Sequence, residues 1–282
     1  MADAPPDLVQ HLEIPSGLAR LAAVRRGGGG SPQVVFLHAG IADHRSFGGV
    51  LDLLSPEMDV VAYDRRGFGT TAYEAEAHDQ VVDLLAVLDA VGMPRAVLVG
   101  NSRGGQIALD FALTHPDRVA ALVLVAPAVS GAPPVDESAV EPDEAAIWAS
   151  LEAADAAGAL DALNLGEIRL WLDGPAAPEG RVAGPLRELA LDMNRIALNA
   201  PSPGYEPTVV DAWNRLGELR CPVLVVAGDL DLGHMRARAA WLADTIPGAQ
   251  RRVMEGAAHL PAFEQPVAFT AALRDFLRVA LN

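Results

Sequence analysis

The run Val97-Leu98-Val99-Gly100-Asn101-Ser102-Arg103-Gly104-Gly105 decides how the rest of this chain is read. Val97, Leu98 and Val99 are apolar and mostly β-branched, which predicts a buried strand. Gly100 and Gly104 flank Ser102 in a Gly-x-Ser-x-Gly turn. Residues 106–113 follow with the small and apolar spacing of a helix packed back on that strand. A strand-to-helix turn this tight leaves room only for glycine beside the serine and thrusts its hydroxyl out above the sheet edge. The start of the helix also aims backbone N–H groups at any negative charge that develops there. In a chain with 26 glycines the short motif is weak alone. The strand before it and the helix after it make Ser102 a candidate nucleophile.

Working outward, the same rhythm recurs. Residues 34–38, 60–64 and 119–125 are continuous apolar runs, and helical spacing fills about 46–54 and 80–91 between them, with Gly92 as a stop. Past residue 220 come a strand at 223–227, a helix at 235–245, a strand at 250–254 and a closing helix at 263–281. Strands apolar throughout, alternating with helices, predict a mostly parallel, doubly wound α/β sheet covered on both faces. Two further runs, 8–14 and 18–24, joined at Pro15-Ser16-Gly17, predict an antiparallel hairpin at a sheet edge. The four glycines 27–30 lack the Lys-Ser/Thr and helix start of a phosphate loop and read as a turn.

Near residue 130 the rhythm breaks. Residues 130–220 show no strand pattern, and helical stretches are expected near 143–157, 159–173 and 185–198. A helical insertion between two late core strands predicts a cap over the site. The expected division is a core of residues 1–129 and 221–282 and a cap of 130–220. Trp148, Trp171 and Met193 are apolar cap residues that, with Ile41, are candidates to touch a substrate.

A serine hydroxyl needs a base to take its proton, and the base needs an orienting carboxylate. Both lie downstream. The strand at 223–227 runs into Gly228-Asp229-Leu230-Asp231, and the strand at 250–254 into Glu255-Gly256-Ala257-Ala258-His259. Loops after parallel strands share the carboxyl face with the serine. The residues alone leave Asp229 and Asp231 both open as the acid. His38, at a strand end, reads as a loop-holding group, and Asp64-Arg65-Arg66 as a charge cluster that stabilises a turn.

These features together resemble the α/β-hydrolase superfamily, in its serine-nucleophile, esterase and enol-lactone-hydrolase-like branch. The matching residues are His38-Ala39-Gly40, Asp64-Arg65-Arg66-Gly67-Phe68-Gly69, the elbow, Gly228-x-x-Asp231 and Gly256-x-x-His259. The resemblance covers the chain apart from its cap. It implies a triad of Ser102, Asp231 and His259, with the backbone N–H groups of Gly40 and Arg103 as oxyanion donors. It implies a serine hydrolase of a small or medium, mostly apolar ester, thioester or lactone. Two alternatives stay open: a C–C bond hydrolase of a diketone-type substrate with the same triad, and a ligand receptor that turns over slowly or not at all. Arg103 departs from the apolar residue often found after the serine, and its side chain is expected to reach a carboxylate of the protein.

Composition excludes more than it assigns. The net charge of −16 disfavours nucleic acid and anionic membrane as partners. No metal-ligand spacing and no dinucleotide fingerprint is present, so no metal or cofactor is expected. The single Cys221 cannot form an internal disulfide. Residues 1–7 have no basic or apolar leader pattern, and a cytoplasmic protein with a small-molecule substrate is the expectation. The sequence sets no oligomeric state.

Overall fold

The computed structural model describes residues 9–27, 30–135, 140–206 and 210–281. The N-terminal heptad and the middle of the four-glycine turn lie outside the described residues, as does Leu8 of the first expected strand.

An antiparallel hairpin of β1 (Gln10–Ser16) and β2 (Ala19–Arg26) opens the chain. Then come β3 (Gln33–Leu37), a 3-10 turn at His44–Phe47, α1 (Gly48–Leu54) and β4 (Asp59–Tyr63). The two-residue strands β5 (Ala72–Tyr73) and β6 (Glu76–Ala77) precede α2 (Gln80–Ala90), β7 (Ala96–Asn101), α3 (Arg103–Thr114) and β8 (Val119–Val125). The helices α4 (Pro142–Ala156), α5 (Leu160–Ile168) and α6 (Pro185–Asn199) lead through β9 (Gly204–Tyr205) to β10 (Val223–Gly228). α7 (Gly233–Thr245), β11 (Gln250–Met254), α8 (Pro261–Glu264) and α9 (Pro266–Ala280) close the chain.

The main sheet runs β1-β2-β4-β3-β7-β8-β10-β11, parallel from β4 to β11, with the hairpin antiparallel at one edge. Side chains alternate across it. Val35, Leu37 and Leu98 point to the layer of α2, α3 and α7, where Leu84, Leu88 and Phe111 meet them. Val34, Phe36, Val97 and Val99 point to the layer of α1 and α9, among Leu51, Phe269 and Leu273. Burying each such side chain stabilises the fold by about 1.5–3 kcal/mol before entropy is charged against it. No helix among the described residues is long and apolar enough to cross a membrane.

Strand order places the crevice. From β3 the chain moves to β4 on one side, then crosses back so that β7 pairs with the other edge of β3. The loops after β3 and β7 therefore diverge at a topological switch point, where open α/β sheets leave a binding cleft.

Several boundaries differ from expectation. The helix after Ser102 begins at Arg103 instead of residue 106, because Ser102 itself occupies the N-cap position. The closing helix is two helices, since Pro266 starts a second one after Gln265 leaves helical geometry. The stretch expected at 159–173 is α-helical only to Ile168 and continues as a π turn, Arg169–Asp173. One strand does occur between residues 130 and 220: β9 pairs in parallel with β6. A two-residue strand has too few positions to show alternation, and only its distant partner reveals it.

Candidate active site

Ser102 sits at φ 54°, ψ −115°, between the last residue of β7 and the first of α3. A non-glycine residue there is strained by on the order of 1–3 kcal/mol. The surroundings hold it in place. Its N–H donates to Val125 O at 2.8 Å, and its carbonyl accepts from Gln106 N and Ala128 N. A Cβ on Gly100 would strike the Gly104 backbone, and one on Gly104 would strike Leu37 and His38. These glycines are required by the closeness of β3, β7 and α3. As the first helical residue, Arg103 has a backbone N–H with no intrahelical acceptor. Gly40, in the loop after β3, is exposed, and a Cβ there would meet open space.

His259 is 2% exposed and Asp231 3%. His259 Nδ1 lies 2.9 Å from Asp231 Oδ2 and 3.1 Å from Oδ1, and Asp231 Oδ1 also accepts Leu232 N at 2.8 Å. Asp229 turns the other way, and its exposed carboxylate accepts Gly256 N at 2.7 Å. Two residues apart in one turn, the two acids thus face different partners. Asn101, beside the serine, donates to His259 O and Val125 O, both at 3.1 Å, and so ties the histidine loop to the elbow.

The helical segment reaches this loop directly. Trp171 O accepts His259 N at 3.1 Å, and its indole lies 4.4 Å from the imidazole, centroid to centroid. Trp148 packs edge-on against Trp171 at 6.0 Å. Ile41 and Met193 share an apolar cluster with Ala39, Leu172 and Leu260, and Met193 is only 1% exposed, so it packs against the loop after β3. Arg181 donates to Gly256 O and pairs with Glu264, whose carboxylate receives the N–H groups of Ala258 and Leu260. Burial raises the Glu264 pKa despite Arg181. Neither Arg181 nor Glu264 was expected from the sequence. Only the position of Glu264 in the first turn of the Pro261 helix hints that it caps nearby N–H groups.

Around Gly40 the polar groups brace one another. His38 Nδ1 contacts Ala39 O at 2.8 Å, while Nε2 accepts Arg65 N at 3.0 Å, so this ring is neutral with its proton on Nδ1. Burial, aided by the Arg65 charge, lowers its pKa to about 3. Arg65 Nη2 reaches the same Ala39 carbonyl at 3.1 Å, and burial lowers its own pKa to about 10. Arg66 binds Asp83, Glu76 and Ser16 O, as a turn-stabilising charge should. Arg103 Nη1 binds Gln106 Oε1 at 2.9 Å and its Nη2 pairs with Glu206, just past β9. The side chain thus meets a carboxylate of the protein.

No metal spacing is visible in the sequence, yet the fold brings Asp43, His44 and Asp64 within 4.8 Å of one another. Their atoms are already engaged. Asp43 holds Arg45, and Asp64 accepts His44 N, His44 Nδ1 and Thr70 N. Burial disfavours the His44 cation, but the Asp64 hydrogen bond and the charges of Asp64 and Asp43 together outweigh it and the His44 pKa is raised.

A groove of about 1030 Å³ lies between Gly67–Gly69 and α5–α6 and borders none of Ser102, Asp231 and His259.

An α/β sheet with a serine elbow at its switch point, tied through Asn101 to the loop of a carboxylate-bound histidine, is an arrangement that suits a hydrolase. The family comparison agrees: residues 34–273 match the model of the Alpha/beta hydrolase family, and the chain belongs to that family. Lipase LipV of Mycobacterium tuberculosis is 31% identical over 231 residues, 80% of this chain and 82% of the lipase. The 2-hydroxymuconate semialdehyde hydrolase of a Pseudomonas species is 29% identical over 82% of this chain and 80% of its own length. Among solved structures, Est816, described as an N-acyl homoserine lactone degrading enzyme, superposes with a TM-score of 0.71 at 27% identity, covering 95% of this chain and all of that one.

Proposed function

We propose that the protein is a serine hydrolase of a small or medium, mostly apolar carboxylic ester, thioester or lactone. The observation that carries this reading is the doubly held His259 Nδ1, at 2.9 and 3.1 Å from the Asp231 carboxylate, in a loop tied through Asn101 to the strained Ser102. In the proposed reaction His259 Nε2 takes the Ser102 proton as the oxygen attacks the carbonyl carbon. Asp231 keeps the Nδ1–H tautomer and stabilises the imidazolium. The N–H groups of Arg103 and Gly40 receive the oxyanion, each donor worth on the order of 100-fold or more in rate. The imidazolium then protonates the leaving group. Water, deprotonated by His259, releases the acid and restores Ser102. No metal or cofactor enters these steps.

In this reading residues 130–220 form the lid and residues 1–129 and 221–282 the core. Trp171 lies against His259, and Ile41, Trp148 and Trp171 supply the apolar surface a substrate meets. The lipase and lactonase relatives support an ester or lactone substrate. A relative named for a semialdehyde instead of an ester supports C–C bond hydrolysis as the second reading.

The test is labelling by a fluorophosphonate combined with stopped-flow hydrolysis of p-nitrophenyl acetate. The expected result is one label per chain on Ser102, a burst of nitrophenol, and loss of both in Ser102→Ala. Absence of label and burst would leave the receptor reading. Labelling without turnover of a panel of esters and lactones would favour the C–C substrate.

A further inference from the structure

His259 lies in the loop 255–260, between β11 and α8. Its own strand gives that loop little support, because β11 is a sheet edge and is exposed except at Met254. Other elements supply it. The N–H groups of Ala258 and Leu260, on either side of His259, converge on Glu264 Oε1 at 3.0 and 3.1 Å. Glu264 Oε2, also 3.0 Å from Ala258 N, meets Arg181 Nη2. We propose that Arg181 is a positioning residue for His259. Through Glu264 it holds the histidine loop so that Nδ1 stays on Asp231, and it makes the base depend on the seating of the helical segment that carries Trp171 and Arg181. The inference rests on the role proposed above for His259.

The planar fork of Arg181 grips both sides of this joint at once. On the side of the helical segment, Nε donates to Asp173 O at 2.8 Å and Nη2 to Leu172 O. These carbonyls directly follow Trp171, whose own carbonyl accepts His259 N. On the side of the loop, Nη1 donates to Gly256 O at 2.7 Å and Nη2 pairs with Glu264. Asp173 fixes the turn that presents the arginine. Its carboxylate accepts Gly180 N at 2.9 Å, Val182 N at 3.1 Å and Arg187 Nη1 at 2.8 Å. The Glu264 side chain is 2% exposed, and burial raises its pKa against the opposing charge of Arg181. Without that cation the carboxyl takes up a proton more readily, and one of its oxygens becomes an O–H donor. The N–H groups that bracket His259 then lose a charged acceptor and the imidazole is free to shift with its loop. A displacement of about an ångström at a reacting group costs on the order of 100-fold in rate. Lysine restores the charge beside Glu264 but cannot reach the three carbonyls with a planar fork.

The test follows the His259 Nδ1–H proton by NMR in the full-length protein, assigned by its loss in Asp231→Asn. Arg181→Met should broaden this downfield resonance and speed its exchange with water by about tenfold or more. Arg181→Lys should restore part of the protection. In ester hydrolysis, counted per Ser102 labelled by a fluorophosphonate, Arg181→Met should lower kcat by about 10- to 100-fold and leave KM within about twofold. A lost packing contact alone would reduce the folded fraction and leave kcat per labelled site unchanged. Adding Glu264→Gln to Arg181→Met should cost little more than the larger single loss, because both act through one contact. Arg195→Met, which breaks an exposed pair with Asp192 on α6, should leave both readouts unchanged. If Arg181→Met does not fold, Glu264→Gln alone carries the same two readouts at the same contact. An Nδ1–H as well protected in the variant as in the parent, a resonance missing from the parent, or an unchanged kcat would overturn the proposal. The resonance needs no turnover, so a parent protein without hydrolysis would defeat the hydrolase reading while the NMR comparison still decides this one.

Discussion

His38 and His259 sit past the carboxyl ends of β3 and β11, both nearly inaccessible to solvent and both against an aromatic ring. Phe68 lies 4.8 Å from one and Trp171 4.4 Å from the other. Their hydrogen bonds separate them. Both nitrogens of His38 are taken by backbone groups, Ala39 O and Arg65 N. His259 has one nitrogen on a carboxylate, and among the described residues no bond engages the other. A ring strung between two peptide groups can only brace a loop, because gaining or losing a proton breaks one of its bonds. A ring with a carboxylate behind it and an open nitrogen in front can accept a proton and have the charge compensated. Burial and residue type are the same in the two regions, and the partner on Nδ1 makes the difference.

The sharpest attack on this contrast removes that partner. Asp231→Asn should lower kcat on the order of 10⁴-fold by favouring the wrong His259 tautomer, with KM little changed. Asp229→Asn, which keeps an Oδ1 acceptor for Gly256 N and loses only an exposed charge, should stay within about threefold. Equal losses measured on the same ester would remove Asp231 from its proposed role.

Next in size is His38→Gln. A histidine titrating at about 6.5 when unfolded and at about 3 when folded leaves the unfolded chain with more protons between those values. Its contribution to stability is therefore full above pH 6.5 and lost as pH falls toward 3, at up to about 1.4 kcal/mol per pH unit. Urea unfolding at pH 7, 6 and 5 should show a shallower decline in His38→Gln than in the parent. At pH 7 the variant should be less stable by about 1–3 kcal/mol, for buried backbone groups left without partners. An unchanged slope would mean that His38 is not held neutral.

The smallest effect concerns Glu206, which pairs with Arg103 while both are about a third exposed. Glu206→Gln should cost about 1 kcal/mol or less, and the difference in urea midpoint should vanish in 1 M NaCl. A larger, salt-independent loss would make this pair a structural support of the elbow, comparable with His38.

Much of this was legible beforehand. Residues 119–125 and 250–254 read as strands with the boundaries observed. A buried parallel strand such as β8 writes its burial into nearly every position, whereas the edge strand β11 is exposed except at Met254. The two-residue β9, the π turn after Ile168 and the break before Pro266 left weaker marks, because each depends on a distant partner or on one residue's geometry. The helices α4, α5 and α6 were legible as helices, but not the residues they pack against, since apolar spacing reports that a face is buried without saying against what.

By itself, then, the sequence determined what is local: the apolar strands, the helices between them, and an elbow whose glycines admit no side chain. It also carried the chain order of serine, acid and histidine, because each follows its own strand. Tertiary structure alone decided which acid meets His259, that both nitrogens of His38 are occupied, and that Arg103 meets Glu206. Apart from the His38–Ala39 contact, those pairings join residues 27 to 103 positions apart. They follow from strand order and side-chain direction, which no local pattern of hydrophobicity records.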